Sequence, residues 1–317
     1  MLLKLFPWTF MQPLIGLLSF LFLCANILLC GVAIHLLALI AKLMNRSQAW
    51  QRKTFDKCYR LWVGMCSVWF RYVLGMNWQL DDGLKQQPER WHLLVANHQS
   101  WVDVFVVLLQ VQGRTPPPRI FMKDTLFWLP LVGSATKLMN FPQVKRYSKA
   151  KLTKRPELAQ KDRRTTVEAC KPLMDTPSSI MTFAEGTRFS RKKHAQQDSP
   201  YQHLLRPKAG GLWMVLQAMP RRFQEITDFN VVYPDKVPSF WDLLCGRVQN
   251  ACVITRQVSI PTEFQCMTEQ TDKQAFYRWV NAYWQMKDRA METDLQYCSK
   301  LEIKRNGPIN EGNSLQN

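Results

Sequence analysis

The chain has 317 residues, 47% hydrophobic and 21% charged, which suits two globular domains at most and excludes a disordered or fibrous chain. Its 42 Lys and Arg outweigh 24 Asp and Glu, a formal charge of +18, so an anionic partner is expected: nucleic acid, a membrane surface or phosphate-bearing substrates. The nine cysteines are widely spaced, odd in number and without a C-x-x-C pair, which argues against a disulfide framework or zinc ribbon and for a reduced compartment.

Leu5–Ala41 contains no formally charged residue, and within Leu14–Ala41 only Asn26 and His35 are strongly polar. At ~1.5 Å per residue such a helix reaches roughly 42 Å, more than the ~30 Å hydrocarbon core of a bilayer. The run is too long for a cleaved signal peptide and shows no small-residue cleavage site. It is expected to anchor the chain in a membrane, as one tilted span or as a helical pair broken at Pro7, Pro13 or Gly31 and resting in one leaflet. Only Lys4 precedes it, whereas Lys42, Arg46, Arg52, Lys53, Lys57 and Arg60 follow against the single acid Asp56. That asymmetry places everything after residue 42 in the cytoplasm.

Three segments hold nearly all the excess charge: 42–60, with six basic residues against one acid; 145–171, with ten against three; and 188–208, with six against one. Beside a membrane anchor such clusters attract anionic headgroups. Nucleic acid is not expected, because no reader module appears.

Trp62, Cys66, Trp69, Phe70 and Val73 fall at helical spacing in the aromatic stretch 50–80. His92–Ala96 reads as a buried strand, and Trp101–Gln112 as a helix stopped by Gly113 and Pro116–Pro118. Ser179–Phe183 and Phe229–Tyr233 read as further buried strands, with Cys252–Ile254 and Val258–Ile260 as two shorter ones. Helices are expected at 162–174, at 209–219 and from Thr271 to about Met291, the last opened by a Thr271/Gln274 capping box. Strands alternating with helices imply an α/β layer fold. The expected boundaries are 1–42 for the anchoring segment, 43–80 for a juxtamembrane helix, 81–305 for the catalytic domain and 306–317 for a flexible tail.

Two blocks carry chemistry. Asn97-His98-Gln99-Ser100-Trp101-Val102-Asp103 leaves a predicted strand and opens a predicted helix, setting Asp103 near one turn from His98. A carboxylate on one imidazole nitrogen fixes the tautomer, so the other nitrogen can accept a proton. Phe183-Ala184-Glu185-Gly186-Thr187-Arg188 leaves another strand through a glycine turn that ends in Arg188, a residue that matches phosphate bidentately. Taken singly, either block also fits a helix cap or a salt-bridged turn.

Together, and in this order, they resemble the NHx4D and FPEGTR blocks of the glycerophospholipid acyltransferases, the lysophosphatidic acid acyltransferase type, with Ala184 where the family has Pro. Lys123, Pro130 and Gly133 resemble the segment between those blocks. Val144-Lys145-Arg146 looks like the acceptor-binding block in the "VKR" form of bacterial inner-membrane members and some animal lysophospholipid acyltransferases, and Val231-Val232-Tyr233-Pro234 stands where the fourth block belongs. The resemblance implies a mixed sheet flanked by helices and a membrane-bound O-acyltransferase. His98 would be its base and Asp103 would orient that base. Glu185, Gly186, Thr187, Arg188, Lys145 and Arg146 would bind the acceptor, a lysophospholipid such as 1-acylglycerol-3-phosphate. The donor would be an acyl thioester on CoA or on acyl carrier protein, with no metal and no cofactor, at the cytoplasmic face of a bacterial inner membrane. Three alternatives stay open: transfer to another lysophospholipid, a non-catalytic lipid-binding membrane protein, and a membrane-anchored hydrolase of the same acyl thioester. The basic segment 189–206 has no counterpart in the blocks.

Overall fold

The structure, a computed structural model, describes residues 11–306 apart from Asn77, Asp82, 124–130, 145–154, Pro156 and Glu269, with the backbone alone at 122–123, 143–144, 157–163 and 301–306. Helix α1 (Gln12–Leu43) opens with Pro13 in its first turn, where a missing N–H costs nothing. It runs unbroken through Gly31, so of the two arrangements left open the described residues form the single helix, Pro7 lying outside them. Its buried residues Gly16, Ser19, Leu23, Asn26, Cys30, Ile34 and Ala41 recur every three, four or seven positions and make one stripe along the whole helix. That stripe packs largely on α2 (Gln48–Val68), with Gly16 against Trp241 and Cys245, while Leu17, Leu21, Leu28, Leu36 and Leu43 stay exposed.

The two polar residues of the apolar run are glue. Asn26 Nδ2 donates to the Trp62 carbonyl at 3.1 Å. His35 contacts the Gly31 carbonyl through Nδ1 at 2.7 Å and Ser134 Oγ through Nε2 at 2.8 Å. After α2, a π-helical turn (Trp69–Val73) stacks Trp69 on Phe22, ring centroids 4.2 Å apart.

The sheet follows. Strand β1 (His92–Ala96) leads into α3 (Val102–Val111), then the short strands β2 (Pro118–Ile120) and β3 (Met122–Lys123), α4 (Val132–Leu138) and β4 (Gln143–Val144). Helix α5 (Glu157–Cys170), strand β5 (Ser179–Phe183), α6 (Arg191–Gln196) and α7 (Ala209–Ala218) come next. The chain closes with β6 (Glu225–Val232), α8 (Phe240–Leu244), β7 (Cys252–Ser259), α9 (Thr262–Gln265) and α10 (Lys273–Asn306). The main sheet has the order β2-β5-β1-β6-β7, parallel except for the antiparallel β6–β7 pair. Separately, β3 pairs in parallel with β4. This is the mixed α/β sheet the sequence implies.

Strand β1 is buried throughout because both faces are covered, as its unbroken apolar run requires. Leu93 and Val95 share a core with Leu212 of α7 and Phe276 of α10, while Leu94 and Ala96 share one with Val106 of α3 and Leu23 of α1. Helix α10 is fixed to β6 by fully buried Lys287, whose Nζ donates to Asp228 Oδ1 at 2.8 Å, to the Phe229 carbonyl at 2.8 Å and to Asn230 Oδ1 at 2.6 Å.

Three expectations are corrected. The two short strands at 252–254 and 258–260 are one, β7, because Thr255, Arg256 and Gln257 keep register with Asp228 and its neighbours on β6. The last helix extends beyond Met291 to Asn306. Its first turn is capped by Asp272, which accepts from the Gln274 amide at 2.7 Å, while the Thr271 hydroxyl turns back to the Thr268 amide. A carboxylate one residue later thus displaces the expected capping box. The tail from 307 lies outside the described residues.

Candidate active site

The register of the parallel sheet builds the site. Ala96 lies beside Phe183, so β1 and β5 end level, and beside Phe229 on β6, which runs on to Val232. Both blocks leave the sheet at this carboxyl edge, where α/β folds place ligands. Asn97 staples the edge: its Oδ1 accepts from the Val231 amide at 2.8 Å and its Nδ2 donates to the Val231 carbonyl at 2.9 Å.

His98 and Asp103 come together as expected, with Nδ1 to Oδ2 at 2.9 Å. Asp103 is fully buried in the first turn of α3. Its Oδ2 also accepts the amides of Gln99 at 2.6 Å and Ser100 at 2.8 Å, and its Oδ1 accepts the Tyr233 hydroxyl at 2.7 Å. Four donors and a helix N-terminus meet this carboxylate in a dry place. Burial beside Asp103 pushes Tyr233 well above the usual phenol range, so it remains a donor. Phe183 stacks on the His98 ring, centroids 4.1 Å apart. With Nδ1 committed to Asp103, Nε2 is the nitrogen left for a substrate proton. Ser100, the adjacent hydroxyl, is no nucleophile: it is buried and donates to the Pro238 carbonyl at 2.6 Å.

The second block turns back on the first. Gly186 takes φ +68°, a left-handed conformation that favours glycine. Arg188 holds its guanidinium 5.3 Å from the centre of the exposed Trp101 ring. Glu185 differs from its expected place among the acceptor contacts. It is buried, and its Oε1 accepts the His98 amide at 2.8 Å while its Oε2 accepts the Leu205 amide at 3.0 Å. Burial, against those two amides, pushes its carboxyl up to about 7.

A cavity of about 510 Å³ is lined by His98 and by Gly186, Thr187 and Arg188, but not by Glu185. Its other walls are largely apolar, among them Ile27 and Ile34 of α1, Trp62 of α2 and Ala135 of α4. Lys145 and Arg146 lie outside the described residues, just past β4.

Two features escape the motif reading. Tyr233 falls in the fourth block, but only the β1–β6 register reveals that it reaches Asp103. The segment 189–206 is a clasp. At its start Phe189 donates to the His98 carbonyl at 2.7 Å, and near its end lies Leu205, the partner of Glu185. Its middle is tied to α10, where Asp288 accepts the amides of Gln202 and His203, both at 2.8 Å, and Trp284 donates to the Leu205 carbonyl at 2.9 Å.

Residues 82–234 match the sequence profile of the acyltransferase family. The chain is 26% identical over 253 residues to a probable 1-acyl-sn-glycerol-3-phosphate acyltransferase 5 of Arabidopsis thaliana, an alignment covering 76% of this chain and 63% of that protein. The crystal structure of the 1-acyl-sn-glycerophosphate (LPA) acyltransferase PlsC from Thermotoga maritima superposes with a TM-score of 0.55 at 14% identity, over 89% of this chain and 96% of that one, and so shares its fold. The segment that matches that family, residues 82–234, contains both motif blocks and the candidate site.

Proposed function

We propose that the protein is a membrane-bound acyltransferase that moves a fatty acyl group from a thioester, on CoA or on acyl carrier protein, to the free hydroxyl of 1-acylglycerol-3-phosphate. The observation that carries this reading is the His98–Asp103 pair, whose free imidazole nitrogen belongs to a residue on the wall of a largely apolar cavity. His98 Nε2 takes the proton of the acceptor hydroxyl, and the oxygen forms a bond to the thioester carbonyl carbon. The tetrahedral adduct collapses, the C–S bond breaks and the departing thiolate recovers the proton from His98. Asp103 stabilises the imidazolium between those two transfers. Arg188 holds the acceptor's phosphate, and Lys145 and Arg146 add to it.

The apolar walls suit an acyl chain, and some of them belong to α1. Helix α1 is long and apolar enough to cross a membrane. We place its exposed leucine face in lipid and, from the basic flank after residue 42, the catalytic domain on the cytoplasmic side. Assignment to a bacterial inner membrane is supported by the "VKR" likeness alone.

The test is transfer from labelled acyl-CoA to lysophosphatidate by the detergent-solubilised full chain, with His98→Ala alongside. Labelled phosphatidate from the wild type only is the expected result. Transfer that survives His98→Ala would overturn the catalytic role, and release of free fatty acid without acceptor would mark a hydrolase.

A further inference from the structure

Trp101 has no task in the transfer steps above, yet it lines the cavity together with His98 and Arg188. Half of its surface is exposed, and Arg188 beside it is exposed as well, so the two stand where the cavity opens outward. They come from different motif blocks. The Arg188 guanidinium lies over the Trp101 ring, 5.3 Å from its centre.

The two residues differ in how firmly they are held. Trp101 sits on the turn that enters α3, and that turn is fixed on both sides of it. The Ser100 amide donates to Asp103 Oδ2 at 2.8 Å, the Ser100 hydroxyl donates to the Pro238 carbonyl at 2.6 Å, and the same hydroxyl accepts the Val102 amide at 3.1 Å. Around Arg188, hydrogen bonds tie only the backbone. Its carbonyl accepts from Lys193 Nζ at 2.9 Å, and the next amide, that of Phe189, donates to the His98 carbonyl at 2.7 Å. Among the described residues its guanidinium has no carboxylate and no hydrogen-bond acceptor. A long arginine side chain samples many rotamers, whereas an indole on a fixed backbone has few. A ring face also attracts a cation without neutralising it, which a carboxylate would do.

We propose that Trp101 is a positioning residue: its ring holds the Arg188 guanidinium at the cavity mouth, at a set span from His98, with its charge still available to an anionic acceptor. This rests on the acyl-transfer reading above, in which Arg188 takes the acceptor's phosphate. Holding the arginine and the base in one geometry lets the acceptor bind without first ordering a mobile side chain.

The experiment compares the full chain with Trp101→Leu, Trp101→Phe, Arg188→Gln and the double variant Trp101→Leu/Arg188→Gln, using lysophosphatidate and acyl-CoA. Trp101→Leu raises KM for lysophosphatidate about two- to fivefold, the ratio that matches an exposed cation–π contact, and leaves KM for acyl-CoA unchanged. Trp101→Phe, which keeps a ring face, recovers much of that loss. Added to Arg188→Gln, Trp101→Leu has no further effect, because the ring acts through the arginine. Additive losses in the double variant would put the ring on the substrate itself or in the support of the fold, and overturn the proposal. A raised KM for acyl-CoA would overturn it as well.

A spectroscopic arm reads the pair without turnover. In the chain labelled with fluorotryptophan, the Trp101 resonance is identified by its loss in Trp101→Phe. Arg188→Gln moves that resonance, and sn-glycerol 3-phosphate moves it in the wild type but not in Arg188→Gln. A resonance indifferent to Arg188→Gln overturns the pairing. A wild type that gives these shifts but acylates no acceptor would sink the acyl-transfer reading and leave the pairing in place.

Discussion

The amide of His98 and the carboxylate of Glu185 are 2.8 Å apart although 87 positions separate them in sequence. That bond joins the two motifs into one unit. It also gives Glu185 a task inside the protein: one oxygen holds His98, and the other holds the clasp at Leu205.

Glu185→Gln keeps one acceptor oxygen and replaces the other with an NH2 group that must face a backbone donor. One buried N–H is left unmade, at about 1–3 kcal/mol. The expected outcome is a lower unfolding temperature and a kcat for acyl transfer reduced about tenfold or more, because the base loses its fixed position. Unchanged kcat with a raised acceptor KM would instead place Glu185 on the substrate.

The same carboxyl makes stability depend on pH. Its ordinary value of 4.5 is raised to about 7 by burial, so the folded protein binds a proton that the unfolded chain has released. Its contribution is full below pH 4.5, falls as pH rises through about 7 and is flat above. Thermal unfolding of wild type against Glu185→Gln, scanned over that window, should show the wild type losing stability relative to the variant as pH rises. A constant difference would contradict the raised value.

Tyr233→Phe removes one donor from Asp103 and leaves the bonds from His98, Gln99 and Ser100 in place. A loss of about 1.5–3 kcal/mol in stability and a severalfold fall in kcat at constant KM are expected, the size of one hydrogen bond to a carboxylate. Steady-state kinetics and thermal unfolding together check this.

Lys287→Met leaves Asp228 buried without its cation. Removing one partner of a buried ion pair costs about 3–5 kcal/mol. Because α10 holds the 189–206 clasp, the variant should lose transfer activity in parallel with stability. Full activity at a lowered unfolding temperature would show that the clasp does not depend on this anchor.

The positions of His98 and Asp103 were legible because both sit on one local segment, a strand end followed by a helix start, whose periodicity changes at a visible point. The strands themselves were legible because a sheet covered on both faces demands apolar residues at every position, as in His92–Ala96. Strand β7 was less so. Its middle, Thr255, Arg256 and Gln257, is polar at the sheet edge, the first two half-buried and the third exposed, and hydrophobicity alone breaks it in two. The tasks of Glu185 and Tyr233 depend on partners 87 and 130 positions away, which strand register supplies and local spacing does not. The Thr271 cap failed for the opposite reason, since two adjacent capping residues compete and the carboxylate prevails. The clasp reads as a charged loop because its ties run mainly through backbone amides, which carry no side-chain signature.

The clasp has a consequence for the order in which the molecule is made. Synthesis delivers α1 well before the docking residues Trp284 and Asp288, and domains assemble as units once their parts are available. The exposed leucine face of α1 is therefore on the chain long before the His98 loop is gripped from both sides, and that grip is complete only once α10 docks.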